Sequence, residues 1–252
     1  MQAIFGKQYR PQTRDALVEM PMFESRKVRL FDVVPLATSV LASGETVMVA
    51  ESTYSLNSAE NIEQPEVINA YVSVYFLRET AGKWTVLKRH ENIAYRGLPE
   101  RPGSVLFVKL GKGKPGLATV SAQSDEGCTH HRVQLFDLRD DVLRDLTNEG
   151  ISTYSSWNSG CGGNDLEPGN ETKGTWFLEE PKKPSAYHDV VMTFTSTTVM
   201  SGPEEDATKS LVTKKNHARY AYDGKQYKLV SGDNPTDAIS PSGKPYGTDA
   251  GD

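Results

Sequence analysis

Ala218-Arg-Tyr-Ala-Tyr-Asp-Gly-Lys-Gln-Tyr-Lys-Leu-Val230 is the stretch of this chain that carries the strongest fold signal. Apolar and polar residues alternate on both sides of a central Asp223-Gly224-Lys225, and alternation is typical of half-buried strands. Asp-Gly favours a tight type I′ turn, because both central residues of that turn need a positive φ. The stretch therefore predicts a β-hairpin.

Weaker copies of the same pattern lie upstream. Residues 72–77 and 84–88 alternate around a turn signal at 81–83. A third copy pairs residues 132–138 with 142–146. Repeated hairpins of this kind are typical of antiparallel all-β proteins.

Helical periodicity is absent except for at most a short helix over 13–20, so we predict an all-β fold. Antiparallel hairpin units with long loops would form a propeller-like or sandwich architecture. The near-continuous apolar run at 104–110 predicts a strand in the centre of a sheet. We expect an extended lead-in at 1–25, a single β domain at 26–231, and a disordered tail at 232–252, where large apolar residues are scarce.

Charge and hydropathy exclude some functional classes. The 252 residues carry a formal net charge of -5, and the sequence pI is about 5.6 with a mean hydropathy of -0.51. A general nucleic-acid binder needs a basic face, so we expect no nucleic-acid partner. No apolar run approaches the ~20 residues that span a bilayer, so we expect no membrane-spanning segment.

The two cysteines bear on the compartment. Cys128 and Cys161 both lie in polar, glycine-rich segments, which is more typical of a disulfide than of buried thiols. Such a bond would contribute about 3–4 kcal/mol and would indicate an oxidising compartment, periplasmic or secreted. The residues from Met1 to Gln12 lack the apolar segment of a signal peptide, so the chain is either cytosolic with two free thiols or a mature form without its leader.

Ligand-type residues are densest at Cys128, His130 and His131. Adjacent residues of a strand point to opposite faces, so His130 and His131 are not expected to bind one metal ion. The glycine- and lysine-rich segment 111–116 lacks the spacing of a phosphate-binding loop. Asn164 and its acidic neighbours lack the spacing of a calcium loop. We therefore predict no metal and no cofactor.

Catalytic signatures are missing as well. The sequence contains no Gly-x-Ser-x-Gly motif, and no local signature of a cysteine nucleophile surrounds Cys161. A pair of catalytic carboxylates is defined by its spacing in the fold, which the sequence does not supply. We predict no catalytic residues and lean toward a protein that is not an enzyme.

The segment 150–173 is rich in Ser, Asn and Gly and is predicted to be a long loop. Aromatic residues flank this segment, and exposed loop aromatics often anchor a protein partner. The predicted binding residues are Tyr154, Trp157, Asp165, Glu167 and Trp176, with the acidic pair meeting a basic cleft.

The motif Tyr-x-Tyr-Asp-Gly-x-x-Tyr resembles blades of bacterial cell-envelope proteins that have incomplete or degenerate β-propellers. Residues His188 to Met192 resemble the inner strand of such a blade. The resemblance implies a propeller-like fold and does not imply one activity. The sequence lacks the Asp-x-Asn/Asp-x-Asp-Gly loop of calcium-binding propellers, which argues against bound calcium. The residues that carry the motif are Tyr220, Tyr222, Asp223, Gly224 and Tyr227.

These observations favour an exported bacterial binding protein, since recognition residues concentrate on loops held by a rigid frame. Our specific hypothesis is an inhibitor or immunity protein that blocks a toxin or hydrolase through loop contacts. One alternative is a hydrolase of envelope polymers. Another is a carbohydrate-binding module that uses Trp157 and Trp176 as stacking platforms.

Overall fold

The fold is all-β, as the sequence predicts. A computed structural model describes residues 1–22, 27–55, 70–97, 103–125, 128–157, 170–200 and 210–237. Within these residues it contains one short helix, one 3-10 turn and fourteen strands. Pairing connects the strands in the order β1-β2-β3-β4-β5-β6-β8-β9-β10-β11-β12-β13-β14, and β7 pairs with β8. Most neighbouring strands are antiparallel hairpin partners, and β6 and β8 meet in parallel at Gly97 and Ala122.

Residues of the described chain group into two compact units. The first unit comprises Met1–Val108, Pro115–Ala122 and Gln134–Arg144. Its elements are α1 (Gln2–Phe5), a 3-10 turn (Gly6–Gln8), β1 (Tyr9–Arg10), β2 (Asp15–Pro21), β3 (Val28–Val40), β4 (Thr46–Tyr54), β5 (Ala70–Thr80) and β6 (Lys83–Gly97).

The second unit comprises Lys109–Lys114, Gln123–Val133 and Asp145–Asp252. Strands β7, β8 and β9 contribute residues to both units. These three strands and those of the second unit are β7 (Val105–Gly111), β8 (Lys114–Asp125), β9 (Cys128–Asp137), β10 (Ile151–Trp157), β11 (Asn170–Glu179), β12 (Asp189–Met200), β13 (Ser210–Tyr222) and β14 (Tyr227–Gly232).

In the first unit, β4 and β5 are buried on both faces. Phe31, Met48 and Tyr75 belong to one apolar cluster, whereas Val47 and Val74 belong to a second cluster. Successive residues of a strand point to opposite faces, so adjacent residues enter different cores. This double burial explains why the central part of β5 is apolar at nearly every position.

In the second unit, β12 and β13 bury apolar side chains on one face only. Val190, Met192 and Phe194 alternate along β12 and are buried, as are Ala218 and Tyr220 on β13. The residues between them point to the opposite face. That opposite face holds the candidate site described below.

Two hairpins confirm the sequence signals, and the type I′ geometry predicted for the β13–β14 turn occurs instead in the β5–β6 turn. The β5–β6 turn places Ala81 at φ 50° and Gly82 at φ 75°, the pair of positive φ values that defines a type I′ turn. The β13–β14 hairpin is confirmed, but its turn has four residues, and Gly224 alone among them has a positive φ. The Asp223 Oδ1 atom accepts hydrogen bonds from the backbone N–H groups of Lys225 and Gln226, both at 2.9 Å. This side-chain cap replaces the predicted type I′ geometry.

The predicted helix at 13–20 is wrong. The segment forms β2, in which Ala16, Val18 and Met20 alternate with more exposed residues and are buried. A two-residue period is a strand period, and pairing with β3 satisfies the backbone of the segment. The predicted lead-in at 1–25 also contributes to the core, because Phe5 is buried against Tyr75 with ring centroids 5.4 Å apart.

The third predicted hairpin is half wrong. Residues 132–137 belong to β9, whereas 142–146 form no strand. The Asp145 Oδ1 atom accepts a hydrogen bond from the Thr147 N–H at 2.8 Å, and Asn148 and Glu149 have positive φ values. An extended strand accommodates neither feature.

The apolar strand predicted at 104–110 exists as β7, but the prediction that it is central in a sheet is wrong. Among the described strands, β7 pairs with β8 and lies off the main path of the sheet. Leu106, the second residue of this strand, is exposed. The apolar run therefore indicated that a strand forms here but not where that strand lies in the sheet.

The ordered chain extends beyond the predicted domain end at residue 231. Asn234 and Thr236 are buried. The Asn234 Nδ2 atom donates to the Ser152 carbonyl at 3.0 Å and to the Tyr220 hydroxyl at 2.9 Å. These bonds offset the small apolar content of residues 233–237. The rest of the predicted tail, 238–252, lies outside the described residues.

Candidate functional site

The candidate site is the uncovered face of β11, β12 and β13. Alternate residues of the three strands lie on this face. The pairs across the strands are Lys173 with Thr195 and Thr175 with Thr193, and Thr193 with His217. Its members are polar or aromatic, and most of them are exposed. We call this surface the open face and define it by Lys173, Thr175, Phe177, Thr193, Thr195 and His217.

Phe177 is the large apolar side chain of the open face. It is 48% exposed and lies opposite Val191. In the next row the Thr175 and Thr193 hydroxyl oxygens are 2.7 Å apart. An exposed ring beside hydroxyl groups offers a contact surface with adaptable hydrogen bonding, which is common in protein recognition sites.

Tyr154 extends the open face onto β10. It pairs with Lys173 on one side and with His131 on the other, and the tyrosine and histidine rings stack with centroids 4.7 Å apart. The Tyr154 hydroxyl donates to Glu171 Oε1 at 2.8 Å. Lys173 Nζ lies 2.8 Å from Glu171 Oε2. Residues 173 to 177 span about 13 Å of strand, so Tyr154 and Phe177 lie toward opposite ends of the face.

The protonation states of this cluster suit binding. The hydrogen bonds from Lys173 and Tyr154 hold the pKa of Glu171 below its usual value, so the carboxylate is ionised at neutral pH. Burial, followed by the hydrogen bond to Glu171, raises the pKa of Tyr154. The Tyr154 phenol therefore remains protonated, and its proton is already donated to Glu171. A nucleophile or general base requires the opposite shift.

Arg219 closes the other end of the face. Its Nη1 atom lies 2.6 Å from Asp189 Oδ2, and a second ion pair joins the guanidinium to Glu179. Asp189 is buried, so the bond to Arg219 offsets the cost of removing this carboxylate from water. Ion pairs thus compensate Glu171 at one end of the face and Asp189 at the other, and the threonine hydroxyls lie between them.

Two of the predicted binding residues, Tyr154 and Trp176, lie on opposite faces of the sheet. Tyr154 and Trp157 lie on β10 and Trp176 lies on β11, so the predicted loop 150–173 is wrong over both strands. Trp176 pairs with the buried Met192 and points to the face opposite Tyr154. The side chain of Trp157 is outside the described part of the structure, as are Asp165 and Glu167.

Sequence reasoning missed the open face, although a signal was present. Thr193 and Thr195 alternate with the buried Met192 and Phe194, which indicates a strand with one polar face. Phe177 interrupts the polar pattern of β11 on the same face. An exposed aromatic residue within a threonine-rich face was the pattern to look for.

His130 and His131 lie on opposite faces of β9, as predicted. Cys128 begins β9 and is buried, while His130 pairs with Ser155 and His131 with Tyr154. The two imidazoles therefore lie on opposite faces of the strand. Among the described residues, no group of three or more histidine, cysteine or acidic side chains is arranged to hold a metal ion.

The disulfide stays a prediction. No free cysteine occurs among the described residues, and Cys161 lies outside them. None of the helices in the described part of the chain is long and apolar enough to cross a membrane.

Comparisons with known proteins give no identification. No family model matches the chain, and neither a curated protein nor a solved structure matches it.

Proposed function

We propose that this chain is a non-enzymatic binding protein of the bacterial envelope, and that it inhibits a toxin or hydrolase by docking the open face against it. The observation that carries the proposal is the exposure of Phe177 beside the threonine hydroxyls of the open face. A few large anchor side chains, often aromatic, carry most of the affinity of many protein interfaces, and the contacts around them mainly exclude water. In this proposal Phe177 is the anchor, Tyr154 is a second contact, and the threonine hydroxyls supply hydrogen bonds.

The periplasmic or secreted location is part of the proposal and depends on the Cys128–Cys161 disulfide. The propeller-like resemblance is a further expectation that agrees with export. Asp165 and Glu167 remain proposed contacts to a basic cleft of the partner, in addition to the open face.

The described geometry favours binding over the alternatives. A hydrolase would need two carboxylates directed into one cleft, whereas the carboxylates at the open face, Glu171, Glu179 and Asp189, are all ion-paired. A carbohydrate module would need exposed platforms, and Trp176 is only partly exposed, on the face that bears Met192.

The test begins with an envelope extract passed over the immobilised chain. The captured hydrolase or toxin is identified, purified and assayed for activity with increasing amounts of the chain. We expect inhibition, and we expect Phe177→Ala to weaken it by about 10- to 100-fold, as the loss of an aromatic anchor does.

Trp84→Ala is the matched control, because Trp84 is a similarly exposed aromatic residue of β6 (44%) outside the open face. We expect this variant to inhibit as the wild type does. Equal inhibition by the wild type and Phe177→Ala would remove the open face from the proposal. An active captured enzyme that the chain leaves unaffected would remove inhibition.

A further inference from the structure

Strand β13 has an edge that no described strand covers. Along one side, β13 pairs with β12 from Ser210 to Tyr220. Along the other side, β14 pairs only with Ala218 to Tyr222. Residues 211–216 therefore have one hydrogen-bonded neighbour among the described strands. We call this segment the β13 edge.

One hydrogen bond shows which backbone groups point outward from this edge. The Asp233 N–H donates to the His217 carbonyl at 2.9 Å, on the side away from β12. Backbone direction alternates along an antiparallel strand, so Lys215 and Thr213 also direct their N–H and C=O groups outward. Lys214 and Asn216 direct theirs toward β12.

Four consecutive side chains of the β13 edge, at residues 212–215, are exposed. Val212 is exposed, and Thr213, Lys214 and Lys215 are exposed as well. Adjacent residues point to opposite faces, so one lysine lies on each side of the sheet. No acidic residue of the described chain forms an ion pair with either lysine.

We propose that the β13 edge accepts an extended acidic segment of a partner protein as an added strand. The outward N–H and C=O groups of Thr213 and Lys215 would pair with its backbone, and carboxylates on both faces of the added strand would meet Lys214 and Lys215. Strand addition of this kind draws affinity from the main chain and specificity from alternate side chains.

Charge decides against a second copy of this chain as the occupant. Two copies paired edge to edge would bring four lysines together, and like charges on opposed strands are destabilising. Lysine at an exposed edge is also a common protection against self-pairing. An acidic strand would instead place carboxylates opposite these lysines, so that the paired charges attract.

This inference rests on the proposed function in that the partner is a protein, and it uses a surface other than Phe177. The probe is a nine-residue synthetic peptide alternating valine and glutamate, compared with the same peptide carrying lysine in place of glutamate. Binding to the full chain is measured by fluorescence anisotropy at low salt. We expect the glutamate peptide to bind at least 10-fold more tightly, and Lys214→Glu/Lys215→Glu to reverse the preference.

Backbone pairing is tested with Thr213→Pro, which removes an outward N–H, against Thr213→Ala. We expect at least a 10-fold loss for proline and less than a 3-fold change for alanine, with circular dichroism verifying the fold. Leu229→Pro, at the exposed β14, is the control for a proline at another edge and should bind normally. In the unaltered chain, bound peptide should slow hydrogen exchange at the Thr213 and Lys215 amides.

Equal losses for Thr213→Pro and Thr213→Ala, or unchanged exchange at both amides, would overturn strand addition. Loss of peptide binding in Leu229→Pro but not in Thr213→Pro would assign the site to β14 and overturn the proposal. Binding that appears only after removal of 238–252 would assign the edge to the chain's own terminus, which would overturn a partner strand. Phe177→Ala should leave peptide binding intact, so failure here is distinguishable from failure of the proposed inhibition.

Discussion

At the scale of single residues, close backbone contact fixes the end of β14. Gly232 has a φ of 80°, and a Cβ atom added there would lie 1.9 Å from the His217 carbonyl oxygen. Gly224 also has a positive φ, of 101°, but an added Cβ would meet nothing within 4 Å. A side chain at Gly224 would therefore meet backbone strain alone, whereas one at Gly232 would meet both strain and steric overlap.

We expect Gly232→Ala to lower the free energy of unfolding by at least ~2–3 kcal/mol, since strain and overlap act together. Gly224→Ala should cost only about 1 kcal/mol, because strain acts alone. Urea unfolding followed by circular dichroism measures both variants. Equal costs would show that the contact between Gly232 and His217 relaxes without loss.

His131 makes stability depend on pH. Burial lowers its pKa below the ordinary 6.5, so the unfolded chain binds a proton more readily than the folded chain. The stabilising contribution of the neutral ring is present above pH 6.5 and is lost as the pH falls through and below that value.

His131→Phe keeps an aromatic ring against Tyr154 and removes the titration. We therefore expect the free energy of unfolding to fall less steeply between pH 7.5 and pH 5 in this variant than in the wild type. Urea unfolding at a series of pH values gives the two slopes. Identical slopes would show that protonation of His131 is not linked to folding.

At the scale of elements, the β5–β6 hairpin carries a correctable strain. Ala81 occupies the first central position of the type I′ turn with a φ of 50°, a conformation that asparagine tolerates better than alanine. We expect Ala81→Asn to stabilise the protein by about 0.5–1 kcal/mol in thermal unfolding. Ala81→Val should destabilise it, because a β-branched residue resists positive φ. A valine variant as stable as the wild type would contradict this interpretation.

Elements were predictable where alternation was strong and both turn and strand signals agreed. The hairpins at Ala81-Gly82 and at residues 223–226 satisfied both conditions. Residues 142–146 include apolar side chains that do not alternate regularly with polar ones. The Asp145 carboxylate instead accepts hydrogen bonds from the backbone N–H groups of Thr147 and Glu149. Side-chain caps of this kind compete with strand pairing, and composition alone does not show which wins.

At the scale of the whole molecule, the predicted disulfide would join Cys128 to a segment beyond Trp157. We expect reduction to lower the free energy of unfolding by about 3–4 kcal/mol, as the closure of a loop of roughly thirty residues implies. Thiol titration of the unfolded protein with and without reductant measures the bond directly. If two thiols react in the absence of reductant, the disulfide is excluded, and the reason for proposing an oxidising compartment is removed.

The alternation of residue types by itself determined that the chain is built of antiparallel hairpins, and which side chains of each strand share a face. Tertiary structure decided which faces are covered. Val74 and Tyr75 are buried on opposite faces of β5, whereas on β12 Phe194 is buried and Thr195 is exposed. A strand's period fixes the side on which a residue points, but the element that packs there comes from distant sequence. The fold therefore decided that the open face stays uncovered and that the β13 edge has one described neighbour.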